Sequence, residues 1–133
     1  MSYCDYLEAK ILDHVFGGST FSRPSTIYIG LCTGVTEGGV VSGEPSGNNY
    51  ARVSKSNDSN SWNDASGGSK TNKVDIEFPE ASGAWGTVTK FFISDAASGN
   101  ANTLGYGDLA ASKSPTAGDI VKILAGQLSI TLD

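Results

Sequence analysis

Apolar residues recur at Cys4, Leu7, Ile11, Leu12 and Val15. This is the i, i+3, i+7, i+8, i+11 spacing of one face of an amphipathic helix, and it predicts a helix from Tyr3 to Phe16. Ser2 is placed to cap that helix, with Asp5 three residues later approximating a capping box. Asp5 and Glu8 fall near its positive end, Lys10 and His14 toward its negative end. Gly17-Gly18 then stops it as a C-cap glycine would.

Beyond this segment the pattern changes to period two. Thr26 to Cys32 places Ile27, Ile29 and Leu31 on one face, with Gly30 on the other beside Tyr28. A loop rich in Gly, Ser and Asn runs over 34–49, and Tyr50 to Lys55 is a short strand. The stretch 56–71 is nearly all polar, with Trp62 as its one large apolar residue, and reads as a surface loop or arm. Lys73 to Phe78 alternates with Val74, Ile76 and Phe78 inward, until Pro79 ends it. Trp85 to Ser94 is the longest predicted strand, with Trp85, Thr87, Thr89, Phe91 and Ile93 on one face. Thr103 to Leu109 is a weaker one, broken by Gly105 and Gly107. Ile120 to Leu124 and Leu128 to Leu132 flank Ala125-Gly126-Gln127 as a tight hairpin.

About seven strands at sandwich-like spacing, with no helical crossovers between them, predict a mainly β fold. The expected form is a single antiparallel β-sandwich, jelly-roll-like, with one N-terminal α-helix. The expected organisation is one domain over 1–133, with the helix in 1–18 and the sandwich in 26–132. Val74, Ile76, Phe78, Trp85, Phe91, Ile93, Ile120, Ile123, Leu128 and Ile130 are the expected core.

Composition sharpens this picture. The chain has 133 residues, 38% of them hydrophobic, and 17 glycines. A chain of this size can bury enough surface to fold without metals or disulfides. The formal net charge of -5 repels phosphate backbones, so nucleic acid is not an expected partner. No apolar run is long enough to span a bilayer. The opening Met1-Ser2-Tyr3-Cys4-Asp5 lacks the pattern of a signal peptide, so synthesis in the host cytoplasm is expected, with no membrane partner. Two cysteines, Cys4 and Cys32, make no disulfide framework and no zinc knuckle, and both read as small buried hydrophobes.

Candidate chemistry is sparse. His14 is the single histidine, so a Ser-His-Asp or Cys-His unit would have to use it. Its place near a helix C-terminus accounts for it without catalysis. No nucleophile-elbow, zincin, C-x-x-C or P-loop motif occurs. Asp75 and Glu77 read as the solvated face of a strand, and Asp95, Asp108 and Asp119 as turn or strand-edge residues. Oxygen-rich runs at Asn57-Asp58-Ser59-Asn60, Asn63-Asp64, and Asp95 with Asn100 and Asn102 are candidate calcium loops, but none has the EF-hand spacing. Trp62 is a candidate sugar-stacking or interface residue, with packing onto the domain as the commoner outcome. No catalytic, cofactor-binding or metal residue is assigned, and no enzymatic activity is expected.

Several segments carry a family likeness. They are Ile11-Leu12-Asp13-His14-Val15-Phe16-Gly17-Gly18, Pro24, Ile27-Tyr28-Ile29-Gly30-Leu31, and Gly47 to Arg52 with its Tyr50-Ala51-Arg52. Ile76-Glu77-Phe78-Pro79, Trp85-Gly86-Thr87-Val88-Thr89 and Ile93-Ser94-Asp95-Ala96-Ala97 follow, and the ending Ala125 to Asp133 completes them. In this order they resemble a widespread family of small tailed-phage virion proteins, often labelled tail-fibre proteins. The resemblance implies a non-enzymatic structural protein of the virion. A compact acidic β domain is also similar to capsid decoration, or cement, proteins. Capsid decoration is therefore the first expectation, and a tail-associated module binding a host-surface receptor or glycan is the alternative. The expected partners are other virion proteins, either the major capsid protein or tail proteins, and further copies of the chain, a trimer being one form. The loops 34–49 and 56–71 are expected to reach across a neighbour.

Overall fold

A computed structural model of the chain describes residues 1–99 and 102–132. One helix, α1 (Asp5–Phe16), follows a short strand, β1 (Ser2–Tyr3). Ten further strands come after it among the described residues. They are β2 (Thr26–Cys32), β3 (Gly34–Val35), β4 (Val41–Ser42), β5 (Val53–Ser56), β6 (Ser69–Thr71), β7 (Ile76–Glu77), β8 (Val88–Ser94), β9 (Thr103–Lys113), β10 (Lys122–Ile123) and β11 (Ser129–Thr131). The fold is mainly β with one helix. The main sheet has the order β1-β9-β8-β2-β5, antiparallel throughout. The remaining strands form three two-stranded ladders, β10 with β7, β11 with β6, and β3 with β4, in place of a second broad sheet.

The central strands β2 and β8 are buried on both faces. Ile27, Ile29 and Leu31 of β2 share one face with Phe91 and Ile93 of β8 and Leu104 of β9. Against them pack Trp62, Ile76, Phe78, Trp85, Val121 and Leu128 from the ladders and their connections. On the other face Gly30, Cys32, Phe92 and Ser94 are also buried. The segment after β2 folds back over that face: Thr33 N–H donates to Ser42 O at 3.0 Å and Thr103 Oγ1 to Gly39 O at 2.8 Å. Two-sided burial is why both central strands carry long buried runs rather than clean alternation.

Several sequence expectations are corrected. The stretch 34–49 forms the β3–β4 hairpin over its own sheet. The stretch 56–71 returns through β6, with Trp62 bridged to Asn72. Both are tied to the domain by backbone pairing, through β3 with β4 and through β6 with β11. β8 begins at Val88, and its register slips between Val88 and Lys90. Two steps along β8, from Lys90 to Val88, match five along β9, from Asp108 to Lys113. The bulge turns Val88 into the core and leaves Thr87 and Thr89 exposed. β9, at 11 residues, is the longest strand. Gly105 and Gly107 do not break it: a Cβ at Gly105 would sit 2.8 Å from Ser2 O, and one at Gly107 2.8 Å from Phe91 Cζ. The missing side chains admit β1 and a core ring.

The C-terminal hairpin is also absent. β10 pairs with β7 and β11 with β6, because buried Asn72 holds the junction between them. Its Nδ2 donates to Val74 O at 2.9 Å and Leu124 O at 3.0 Å, and its Oδ1 accepts from Leu128 N–H at 2.9 Å. That geometry pulls the chain out of strand pairing before Ile76, so Val74 is exposed, as is Ile120 before β10. The other expected core residues are buried or half-buried. At the helix start, Ser2 lies in β1 and Cys4 takes the cap position without a side-chain bond. Gly17 is extended, not left-handed.

Both cysteines are buried and unpaired, and burial pushes each thiol up to about 11. The native protein should therefore resist alkylation by iodoacetamide at mildly alkaline pH, and both thiols should react once it is unfolded. Gly30→Ala should also cost stability, since the added Cβ would lie 2.3 Å from Phe92 Cζ. A loss of about 1–3 kcal/mol is expected in urea denaturation, the usual range for overpacking.

Candidate assembly surface

Most of the carboxylates and amides singled out in the sequence are engaged by donors or acceptors of the same chain. Asp58 Oδ1 accepts from Ser56 Oγ at 3.0 Å and from Asn60 N–H at 2.9 Å, an Asx-type turn. Asp95 accepts from the Asn102 backbone at 3.0 Å and from its side chain at 2.9 Å; Asn100, the third member of that run, lies outside the described residues. Asn57 Nδ2 donates to Pro24 O at 2.9 Å and Asn63 Nδ2 to Thr71 Oγ1 at 3.0 Å. Asp75 accepts from Ala125 N–H at 2.8 Å, and Asp119 from Thr116 N–H at 2.9 Å. Asp108 pairs with Lys90 and Glu77 lies 3.9 Å from Lys122. Among the described residues no group of three or more His, Cys, Asp or Glu is gathered as metal ligands would be. His14 is exposed, and its Nδ1 accepts from Phe21 N–H at 3.1 Å. Trp62 packs in the core, so no stacking platform stands in that loop.

A buried polar hub had no counterpart in the sequence reading beyond the Tyr50-Ala51-Arg52 segment. The Arg52 side chain is 4% exposed and its partner Glu44 23%. Arg52 Nε donates to Glu44 Oε2 and Nη2 to Oε1, both at 2.8 Å, a bidentate fork. The same guanidinium donates to Ala96 O at 2.9 Å and Gly99 O at 3.0 Å. It also lies over Phe92, 4.8 Å from the ring centroid. Tyr50 Oη donates to Glu44 Oε2 at 2.8 Å and accepts from Leu31 N–H at 3.0 Å. Hydrogen bonding to Glu44 raises the Arg52 pKa, and burial raises that of Tyr50. One side chain thus ties the 44–52 segment to the 94–99 turn across the second face of the sheet.

With the central strands covered, Val40 and Leu132 are exposed singly and the other large exposed apolar side chains fall in two places. Leu12, Val15 and Phe16 stand at the C-terminal end of α1, 58%, 59% and 84% exposed. Val74 and Leu124, whose carbonyls are held by the same Asn72 amide, form the second with Ile120 nearby in sequence. Beneath α1, between the helix and the sheet, lies a cavity of about 230 Å³ lined by Leu7, Ile11, Trp62 and Ile130, with Arg23 and Lys70 among its lining residues. This arrangement offers apolar contact surface rather than a convergent set of reactive groups.

Removing Arg52 leaves the Glu44 carboxylate and two backbone carbonyls without their donor. Arg52→Ala should cost roughly 3 kcal/mol in chemical denaturation. Arg52→Lys should recover only part of that, because an ammonium cannot reproduce the fork. An Arg52→Ala protein as stable as the parent would show that the hub contributes nothing.

No curated protein matches the chain. No helix among the described residues is long and apolar enough to cross a membrane. A family model described as Podophage GP4 fiber I protein gp80 matches residues 2–131. The match takes in the helix, all eleven strands and the hub, so the chain belongs to this family of fibre-labelled phage virion structural proteins.

Proposed function

We propose that the chain is a tail-fibre component of a podophage virion, without catalytic activity, held in place by contacts with neighbouring virion proteins. The family match over residues 2–131 carries this reading. Its description as a fibre protein supports the fibre placement. The surface supports a contact role: large apolar residues stand exposed at the end of α1 and around Val74 and Leu124. The lone histidine is engaged by the Phe21 amide, and Asp58, Asp75, Asp95 and Asp119 by donors of the same chain, which supports a role without catalysis. Tail proteins and further copies of this chain are the proposed partners.

One observation favours the capsid reading as the second choice. The net charge of -5 suits the outside of a shell better than contact with packaged nucleic acid. Particles assembled without the chain separate the two. The fibre reading predicts heads of normal heat resistance with fewer fibres and reduced adsorption to cells. Heads that break more readily on heating while adsorption stays normal would overturn it in favour of decoration.

A further inference from the structure

Two strand edges without partners border one groove. Strand β10 pairs on one side alone, with β7. Phe78 N–H donates to Val121 O at 2.9 Å, so Val121 and, two residues on, Ile123 hold the hydrogen-bonded positions of that ladder. In an antiparallel pair the residues between such positions turn their amides and carbonyls the other way. The Lys122 N–H and C=O therefore point away from β7, and no backbone partner meets them among the described residues. On β9 the pairing with β8 skips from Asp108 to Lys113, and the pairing with β1 ends at Tyr106. Leu109 to Ser112 are thus extended backbone with no strand on either side among the described residues.

The groove has the character of a strand site. It holds about 260 Å³ and is lined by Leu109, Ala110 and Ala111 of β9 and by Lys122 and Ile123 of β10. No residue of β7 lines it, so it lies on the open side of β10. Buried Phe91, Val121 and Leu128 give it an apolar floor. Through Lys113 and Leu124 it continues into a second cleft, which Ile120 lines. Ile120 and Leu124 are among the large apolar side chains left exposed. The charges at the groove favour an acidic occupant. Asp108 is already paired with Lys90, whereas Lys113 takes part in no ion pair among the described residues and Lys122 reaches Glu77 only at 3.9 Å.

We propose that this groove takes up an extended segment of a neighbouring protein as an added strand. The segment bonds to the Lys122 amide and carbonyl and to the Leu109–Ser112 backbone. Its apolar side chains lie on Phe91, Val121 and Leu128, and a carboxylate meets Lys113. Strand addition draws its affinity from main-chain bonds and its specificity from alternate side chains, and both are on offer here. The donor is a different protein, because all eleven strands of this chain already have partners and a copy would have to give up a ladder to donate one. The proposal rests on the virion reading for the setting of that neighbour, and its solution test stands apart from that reading.

The probe is a blocked hexapeptide of alternating aspartate and valine, titrated into the isotope-labelled full chain and followed by NMR. Saturable shifts should appear at the amides of Leu109 to Lys113 and of Lys122. The same peptide N-methylated at alternate residues keeps its side chains but loses ladder donors, and should not bind. Lys122→Pro removes a groove-facing N–H and no bond to β7. It should leave the circular dichroism unchanged and weaken binding roughly 10-fold, about the worth of one hydrogen bond. Lys122→Ala, which keeps that N–H, should bind nearly as the parent does. Ala110→Pro, in the segment without a ladder, makes the same test from the β9 side should Lys122→Pro not fold. Absent shifts, binding that survives backbone methylation, or parent-like binding by a folded proline variant would each overturn the proposal. Hydrogen exchange then places the contact. Slower exchange over 109–113 in purified particles than in the isolated chain supports the proposal, and equal exchange overturns it. Particles that lack the chain overturn the virion reading and leave the groove's binding in solution standing.

Discussion

Both faces of β2 and β8 are buried, so the rest of the chain has to supply cover for two sides of one sheet. Ile29 and Leu31 need apolar partners on one side, and Phe92 and Cys32 on the other. The first side is met by the β7–β10 and β6–β11 ladders and their connections, through Trp62, Ile76, Phe78 and Leu128. The second is met by the 33–44 hairpin and by the aliphatic stem and guanidinium of Arg52 over Phe92. Of the large apolar side chains left exposed, most lie on the helix and around Val74 and Leu124, with Val40 and Leu132 apart from them. An exposed apolar group outside a covered core is the part of such a molecule that has most to gain from a neighbour.

Cover on the second face is polar, which makes it exacting. A buried guanidinium is tolerable only with its donors used, and Arg52 spends them on Glu44, Ala96 O and Gly99 O. Glu44 in turn accepts from Tyr50, whose hydroxyl takes up the Leu31 amide. Among the described residues no buried side-chain polar atom is left unpartnered. A network of this kind adds less to net stability than it does to uniqueness, since any partial arrangement strands a charge.

Local signals were readable in the sequence where one interaction dominates. Thr26 to Cys32 alternates, and β2 has those bounds. The 3.6-residue period from Cys4 to Val15 marks α1 to within two residues at its start. Where tertiary contacts override local pattern, the reading failed. Alternation carries through Trp85, Thr87 and Thr89, but the bulge opposite β9 reverses the faces there. Ala125-Gly126-Gln127 looks like a hairpin turn, yet Asn72, more than fifty residues earlier, sends the two flanks to different partners. The hub was invisible for the same reason: Glu44 sits in a Gly-, Pro- and Ser-rich loop, and nothing local marks it as the partner of Arg52. The apolar stripe of α1 was visible, but its exposed half became apparent only once the sheet's own cover was accounted for.

A mainly β scaffold with a residual apolar helix end is suited to contact with a neighbouring protein, and the chain belongs to a family of fibre-labelled phage virion proteins. The most direct test is a cryo-electron microscopy map of the intact virion into which the chain is fitted. The account predicts density for it in the tail fibres, with the Leu12–Phe16 end of α1 enclosed by protein. Density confined to the capsid shell, or a fibre-bound copy with that end of α1 facing solvent, would contradict it.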